Sequence, residues 1–358
     1  MAEHVKASVS EVYSIGRECR IYAFGAGKSI LNQNALTPSY PLGKIIYEFI
    51  DNNPLKWNTK VDVYGNVSTI ISLNDYIKKA SQNDYLLITP IHYQDIEAQI
   101  NRVKELNHIK YIILSEIYDY PDYMCNEDQL NSIYKGGIYI PKVIHYCWFG
   151  KKKIPYEYEH YIESWKKYCP DYEIVRWDES NYDITQNMYM KQAYENRMWG
   201  FVPDYARLDI IYRYGGFYLD TDVELIKSLD QLQHFHAFVG YESTQMIALG
   251  LGFGAEKGNP VIRGMRDDYS ERKFIDSNGK MKLTPSPKYQ TEYLQKQGLK
   301  RNNSLQQIEN GNITSLPTDF LCGIRFYTKT KQITEHTVSL HHWSQNWGDD
   351  WKNRSKGI

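Results

Sequence analysis

The run Phe-Val-Pro-Asp-Tyr-Ala-Arg-Leu-Asp-Ile-Ile-Tyr-Arg-Tyr-Gly-Gly-Phe-Tyr-Leu-Asp-Thr-Asp at residues 201–222 constrains this chain more than any other stretch. It joins a helix, a glycine break, a short apolar strand and two carboxylates in one unit. Asp204 stands as the helix N-cap, and Ala206, Leu208, Ile210 and Ile211 supply the helix body. Gly215 and Gly216 stop the helix where a left-handed residue is expected. Residues 217–219 read as a buried strand that delivers Asp220 and Asp222 at its end. Alternate residues of an extended chain point the same way, so both carboxylates can approach one hard divalent cation while Thr221 faces elsewhere. Asp204 and Arg207, three apart on a helix, share a face just upstream. A cation beside a helical guanidinium is what a diphosphate needs, because the metal neutralises phosphate charge and the guanidinium clamps an anion or a hydroxyl-rich ligand. An Asp-x-Asp triplet alone would arise roughly once by chance in a chain this long, so its surroundings carry the reading.

At 358 residues the chain has room for two domains of ordinary size. The polar stretch 119–137, with Pro121, Asn126, Gly136 and Gly137, marks the boundary, giving domains 1–137 and 138–358. In the first, an apolar strand at 20–24 runs into a glycine turn at Gly25 and Gly27. Residues 40–50 read as a helix and a strand that ends at Phe49 and Ile50, and strand patterns at 61–64, 84–89 and 111–115 then alternate with helical ones at 73–80 and 93–105, which argues for a parallel sheet flanked by helices, a Rossmann-like α/β domain. The glycine turn departs from the dinucleotide fingerprint, with Ile30 at the third glycine position. Asp51, placed to act as a ribose-binding acid, joins Gly25 and Gly27 as a candidate ligand site of this domain.

The second domain opens on the strand pattern 138–150, which contains His145 and Trp148, followed by a helix at 158–168, a strand at 172–178 and a helix at 189–197. Beyond Asp222, the glycine-rich run 247–258 permits close backbone approach to a ligand. Net charge is −1, so nothing points to nucleic acid as a partner. The five cysteines show no zinc-type spacing, and their odd number argues against a disulfide framework. The N-terminus is polar, and no apolar run approaches the roughly 20 residues that span a bilayer. The expectation is a cytoplasmic enzyme.

Asp204-x-x-Arg207 followed by Arg-Tyr-Gly-Gly-Phe-Tyr-Leu-Asp220-Thr-Asp222 resembles the Asp-x-Asp sugar-nucleotide signature of the retaining glycosyltransferases of family 32, and is similar in layout to the glucosyltransferase domain of large clostridial toxins. Ile-Pro-Lys-Val-Ile-His-Tyr-Cys-Trp at 140–148 resembles the family's opening element. Leu-His-His-Trp-Ser-Gln-Asn-Trp at 340–347 resembles its closing block, with Asn346 where Ser is usual. The resemblance implies a GT-A fold, a mixed sheet flanked by helices, preceded here by the smaller Rossmann-like domain. It implies a Mn²⁺ or Mg²⁺ ion held by Asp220, Asp222 and His341, where one imidazole among oxygens suits Mn²⁺. It assigns Asp204, Arg207, Asp220 and Asp222 to the catalytic set. Trp148 would stack on the donor's base, Asp204, Arg207 and Asp220 would contact donor ribose or sugar, and His342, Trp343 and Trp347 would complete the donor site.

The function implied is transfer of a hexose from a nucleotide-diphosphate sugar, with UDP-galactose, UDP-glucose and UDP-N-acetylglucosamine foremost and GDP-mannose also fitting. The acceptor would be a glycan or lipid-linked oligosaccharide in capsular or other surface polysaccharide synthesis. The enzyme would work peripherally at the inner face of the cell membrane, and an oligomer is compatible with it. Two rivals are a non-catalytic nucleotide-sugar-binding scaffold of the same pathway and a sugar-nucleotide hydrolase.

Overall fold

The computed structural model describes residues 1–27, 30, 40–63, 65–118, 125–326 and 328–344. The chain divides into two compact units. One is Met1–Asp122 with Ser243–Gln245 and Arg325–Thr330, and the other is Tyr123–Glu242, Met246–Ile324 and Lys331–Ile358.

The first unit contains β1 (Glu3–His4), α1 (Val9–Glu18), β2 (Ile21–Phe24), β3 (Ile46–Ile50), β4 (Lys60–Val63), β5 (Asn66–Ile71), α2 (Leu73–Ile77), β6 (Tyr85–Ile88), α3 (Gln94–Arg102) and β7 (Lys110–Ile113). Its seven strands lie in the order β1-β7-β6-β2-β3-β5-β4, parallel except for the edge pair β4–β5. Ile21 and Ala23 of β2 face one core, while Tyr22 and Phe24 face the other. That alternation is why the central strands β2 and β6 are apolar throughout, since a sheet covered on both faces leaves no side for polar residues, whereas the edge strand β4 carries the exposed Lys60 and Asp62.

The second unit contains α4 (Glu127–Tyr134), β8 (Val143–Cys147), α5 (Tyr156–Tyr168), β9 (Glu173–Trp177), α6 (Met188–Glu195), α7 (Pro203–Tyr214), β10 (Gly216–Tyr218), β11 (Val223–Leu225), β12 (Ala237–Gly240), β13 (Phe253–Ala255), α8 (Pro260–Asp267), α9 (Ser286–Lys296), β14 (Gln306–Ile308), β15 (Ile313–Leu316), α10 (Thr318–Leu321) and β16 (Ser339–His341). It takes in α4, which precedes the expected boundary at 137, because Leu130 packs in the same core as Ile140 and Ile144. A mixed seven-stranded sheet, β14-β15-β12-β13-β10-β8-β9, carries parallel pairs β8–β9, β8–β10 and β12–β15, with β13 antiparallel to both neighbours. Two cores cover its faces. Tyr218, Ala237 and Val239 pack with α6, α7, α8 and α9, and Ile144, Phe217 and Phe238 pack with α4 and α5. This is the helix-flanked mixed sheet of a GT-A fold. A separate antiparallel ribbon pairs β11 with β16. Among the described residues no helix is long and apolar enough to cross a membrane.

One buried histidine locks the parallel heart of the sheet. Trp177 Nε1 donates to His145 Nδ1 (3.1 Å), so the ring proton sits on Nε2 and is donated to the Gly215 carbonyl (3.0 Å). The ring thereby ties β8 and β9 to the end of α7. Burial pushes the imidazole pKa down to about 4, although the Gly215 carbonyl favours the charged form. Folding therefore disfavours the imidazolium: the stability is whole above pH about 6.5 and is lost as pH falls through 6.5 towards 4. At about 1.4 kcal/mol per pKa unit it amounts to about 3 kcal/mol. Urea unfolding of wild type and His145→Asn between pH 7 and 4.5 checks this. The wild type should lose stability more steeply, by up to one proton in slope, and equal slopes would contradict the assignment.

Candidate active site

Helix α7 starts at Pro203, whose fixed φ suits the first helical position. Asp204 is therefore inside the first turn and is not the N-cap. The cap is Val202, with no side-chain hydrogen bond. The carboxylate expected to cap the helix is spent elsewhere. Its Oδ1 accepts from Arg207 Nη2 (2.9 Å) and its Oδ2 from Tyr189 Oη (3.2 Å). Arg207 also donates Nε to the Pro203 carbonyl (3.1 Å), faces Asp220 Oδ2 through Nη1 (3.7 Å) and lies over the Tyr218 ring (5.3 Å). Asp204 and Arg207 are 3% and 4% exposed, so they form the floor of the site. Deleting either would strand a buried charge, a loss of about 3–5 kcal/mol.

The helix ends at Gly215 and the chain enters β10 at Gly216, both at positive φ (73° and 99°). A Cβ on Gly216 would lie 2.6 Å from the Val143 carbonyl oxygen. This close approach explains the second glycine and fixes where β10 delivers Asp220 and Asp222. Val223 of β11 then pairs with His341 of β16, and the His342 N–H donates to the Asp222 carbonyl (2.9 Å). Ligand atoms of Asp220, Asp222 and His341 consequently all lie within 4.8 Å of one another.

Asp222 is held firmly. Its Oδ2 accepts from the Ser344 N–H (3.0 Å) and from Ser344 Oγ (2.8 Å), which leaves Oδ1 towards His341 Nε2 (3.3 Å). The Trp343 N–H donates to His341 Nδ1 (3.2 Å), so the ring proton falls on Nε2, facing Asp222. Burial works against ionisation of Asp222, but the neighbouring His341 and the two Ser344 donors hold its carboxyl below the usual range. Asp220 goes the other way. Burial, reinforced by the Asp222 charge, raises its pKa against the pull of Arg207. Asp204 is pushed up to about 6 by burial, despite Arg207. Burial would lower the Arg207 pKa, yet Asp220 above all, with Tyr218 and Asp204, raises it. The site is thus a short ladder of alternating charge whose outermost carboxylates crowd each other, an arrangement that a divalent cation between them would relieve.

Trp343 stands against His341 (ring centroids 4.2 Å) and donates Nε1 to the Ile324 carbonyl (2.7 Å). His342 turns towards α5, stacked on Tyr161 (4.1 Å, 14°) with Nε2 2.9 Å from Glu224 Oε2. Trp148 donates Nε1 to the Lys152 carbonyl (2.7 Å) and packs edge-on against Tyr158 (5.8 Å), which in turn is hydrogen-bonded to Ser344. Trp347 lies outside the described residues. In the first unit Gly25 does need its positive φ (110°), and a Cβ there would meet Thr89 Oγ1 at 2.6 Å. Asp51 folds back on this turn. Its Oδ2 accepts from the Ala26 N–H (3.1 Å) and Lys56 Nζ (2.7 Å), and its Oδ1 from the Asn53 N–H (2.9 Å). Gly25, Gly27 and Asp51 are therefore brought together, with the Ala26 N–H already engaged by the acid.

Three residues of the site escaped sequence reasoning. Ser344 sat unassigned in the closing block, Tyr158 had no signal, and Gly250 was one of several glycines in the 247–258 run. A Cβ on Gly250 would lie 2.5 Å from Asp220 Oδ2 and 3.5 Å from Arg207 Nη1.

Residues 155–239 match the family described as "Glycosyltransferase sugar-binding region containing DXD motif", a span that holds α5 through β11 and both Asp220 and Asp222. Three curated proteins of Schizosaccharomyces pombe are similar over part of the chain. Inositol phosphoceramide mannosyltransferase 3 is 33% identical over 144 residues, covering 37% of this chain and 40% of that protein. Inositol phosphoceramide mannosyltransferase 1 is 30% identical over 115 residues (28% and 33%), and inositol phosphoceramide mannosyltransferase 2 is 28% identical over 150 residues (38% and 41%). The chain thus spans at most about two fifths of the length of these relatives. Among solved structures, PaToxG Glycosyltransferase aligns at 19% identity over 48% of this chain and 74% of its own, with a TM-score of 0.35.

Gly250→Ala isolates the steric constraint at Asp220, because Gly250 sits in a 3₁₀ turn (Leu249–Leu251) that accepts alanine and the atom that must yield is a carboxylate end. Stability should fall by less than about 1 kcal/mol, whereas Mn²⁺ affinity should fall about tenfold or more. Thermal melting and calorimetric titration read the two effects separately. An unchanged affinity would show that Asp220 is not held where Gly250 leaves it room.

Proposed function

We propose that this protein is a metal-dependent retaining glycosyltransferase that moves a hexose from a nucleoside-diphosphate sugar to an acceptor hydroxyl. The observation that carries the reading is the convergence of Asp220, Asp222 and His341 beside the buried Arg207, within and just beyond a stretch that matches a DXD sugar-binding region. Two carboxylates and one imidazole form a donor set suited to Mn²⁺, with Mg²⁺ the harder alternative. To serve as a neutral ligand through Nε2, His341 would shift its ring proton to Nδ1, and the Trp343 N–H that now donates to Nδ1 would have to turn away. When bound, the cation supplies charge neutralisation at the departing nucleoside diphosphate.

The remaining work falls to the chain. Ser344 fixes the Asp222 carboxylate through two donors, and Arg207, braced by Asp204, fixes Asp220. The Asp204–Arg207 pair forms the floor on which sugar hydroxyls would rest, and Trp148 offers a ring for the base, where stacking contributes about 1–3 kcal/mol in nucleic-acid systems. No side chain is assigned as a covalent nucleophile, so retention would proceed by front-face attack with the departing phosphate accepting the proton. The relatives' names carry mannose and inositol phosphoceramide, which supports adding a mannose donor to the UDP-hexoses and a lipid-borne acceptor. Assembly of surface glycans at the inner membrane face is the setting that fits both.

The test is release of nucleoside diphosphate from GDP-mannose, UDP-glucose, UDP-galactose and UDP-N-acetylglucosamine with Mn²⁺, with EDTA, and with Asp222→Asn. One donor should be consumed, only with metal, and the variant should lose about 10²-fold or more in kcat, because several kcal/mol of charge stabilisation leave with the metal. Consumption of none with metal present would sink the proposal, and free sugar formed without any acceptor dependence would point to hydrolysis.

A further inference from the structure

Away from Asp220, the second unit gathers a thiol, a carboxylate and an imidazole from segments far apart in the chain. Cys125 precedes α4, Glu127 opens that helix, and His336 lies on the turn that leads into β16. His336 Nε2 stands 3.0 Å from Glu127 Oε1, a contact that spans 209 positions. One ligand atom from each of the three residues lies within 4.8 Å of the other two.

The orientation of each ligand is set by its surroundings. The His336 ring lies flat on Phe320 (4.9 Å, 5°), and its backbone N–H donates to Thr334 Oγ1 (3.2 Å). Thr334 Oγ1 in turn donates to Asp319 Oδ2 (3.1 Å). Asn126, between the other two ligands, caps α4 by accepting from the Gln129 N–H (3.0 Å), which fixes the turn that carries Cys125 and Glu127. Burial, then the charge of Glu127 and its hydrogen bond, then the charge of Asp319, push the Cys125 thiol up to about 12. Left to itself the sulfur keeps its proton. A divalent cation reverses that preference, because its charge outweighs the neighbouring carboxylates.

We propose that Cys125, Glu127 and His336 form a second metal site, one that takes a borderline-soft divalent ion of the zinc type. Thiolate and imidazole discriminate against Mn²⁺ and Mg²⁺, and three protein ligands leave one tetrahedral position for water. Loading forms one metal–sulfur bond and releases the Cys125 proton to solvent, with no change of oxidation state. The site's place in the fold gives it a role. His336 precedes by a few residues the strand that carries His341, so a metal there fastens that segment to the start of α4. Closing so long a stretch of chain removes freedom from the unfolded state.

Co²⁺ alone, titrated into the full chain, is the probe. Wild type should bind it with a thiolate-to-metal charge-transfer band that saturates at one equivalent. The band should vanish in Cys125→Ser and need more than about tenfold higher Co²⁺ in His336→Gln. It should persist in Asp222→Asn, which separates this site from the acidic trio. Zn²⁺ should displace the Co²⁺ and, in an Asp222→Asn background, raise the melting temperature when Cys125 is present but not when it is replaced by Ser, and the circular dichroism of Cys125→Ser without metal should match wild type. The proposal is overturned if the band never appears, if it survives Cys125→Ser, or if Asp222→Asn abolishes it.

Discussion

Everything at the candidate site depends on the pairing of β11 with β16. Val223 and His341 are register partners, and the His342 N–H donates to the Asp222 carbonyl. These backbone bonds bring the end of the described chain to the carboxylates that β10 delivers. Without them Asp222 would lose His341 and both Ser344 donors at once. The large sheet supplies the platform, since β10, packed between β8 and β13, fixes the direction in which the chain leaves Tyr218. The ribbon then sets His341 beside Asp220 and Asp222. It is a small structure of three residue pairs, and it is buttressed from α5, where Trp165 is fully buried and donates Nε1 to the Val223 carbonyl (2.8 Å).

Charge accounts for the order of the site. Asp204, Arg207 and Asp220 line up from the buried floor to the half-exposed rim, and each is tolerable only because the next one is there. Such arrangements contribute little net stability, since desolvation offsets most of the attraction. Their value is geometric: a carboxylate held by a guanidinium has one rotamer, and a carboxylate held by two Ser344 donors has one free oxygen. Preorganised ligands of this kind need no rearrangement when charge develops in front of them.

Much of this was legible in the sequence where the signal is local. The strands at 21–24, 85–88, 110–113, 143–147 and 173–177, the helices at 156–168 and 203–214, the glycine break and the pair Asp220/Asp222 follow from periodicity and turn chemistry read over a few residues. Alternation of strand and helix also points to the helix-flanked sheet of the first unit, whereas the GT-A architecture of the second is implied by the resemblance of its motifs. The misplaced N-cap at Asp204 shows where local rules stop. Pro203 competes for the helix start, and Arg207 and Tyr189 compete for the carboxylate; only the folded chain decides between capping and ion pairing. The resemblance assigns His341 to the metal and His342 to the donor, yet successive residues of an extended segment face opposite ways, so His341 meets Asp222 while His342 meets Glu224 and Tyr161. Contacts that join positions 222 and 344, or 127 and 336, have no local signature. Gly250 is visible only as a glycine until Asp220 is placed beside it.

The proposed function requires that Asp220, Asp222 and His341 hold one divalent cation. Electron paramagnetic resonance of Mn²⁺ titrated into the full chain tests it directly, because the sharp signal of the free hexaaqua ion disappears on binding. The account predicts one Mn²⁺ bound per chain in wild type, with binding lost in Asp222→Asn and weakened about tenfold or more in His341→Ala. Retention of the wild-type Mn²⁺ affinity by Asp222→Asn would contradict it.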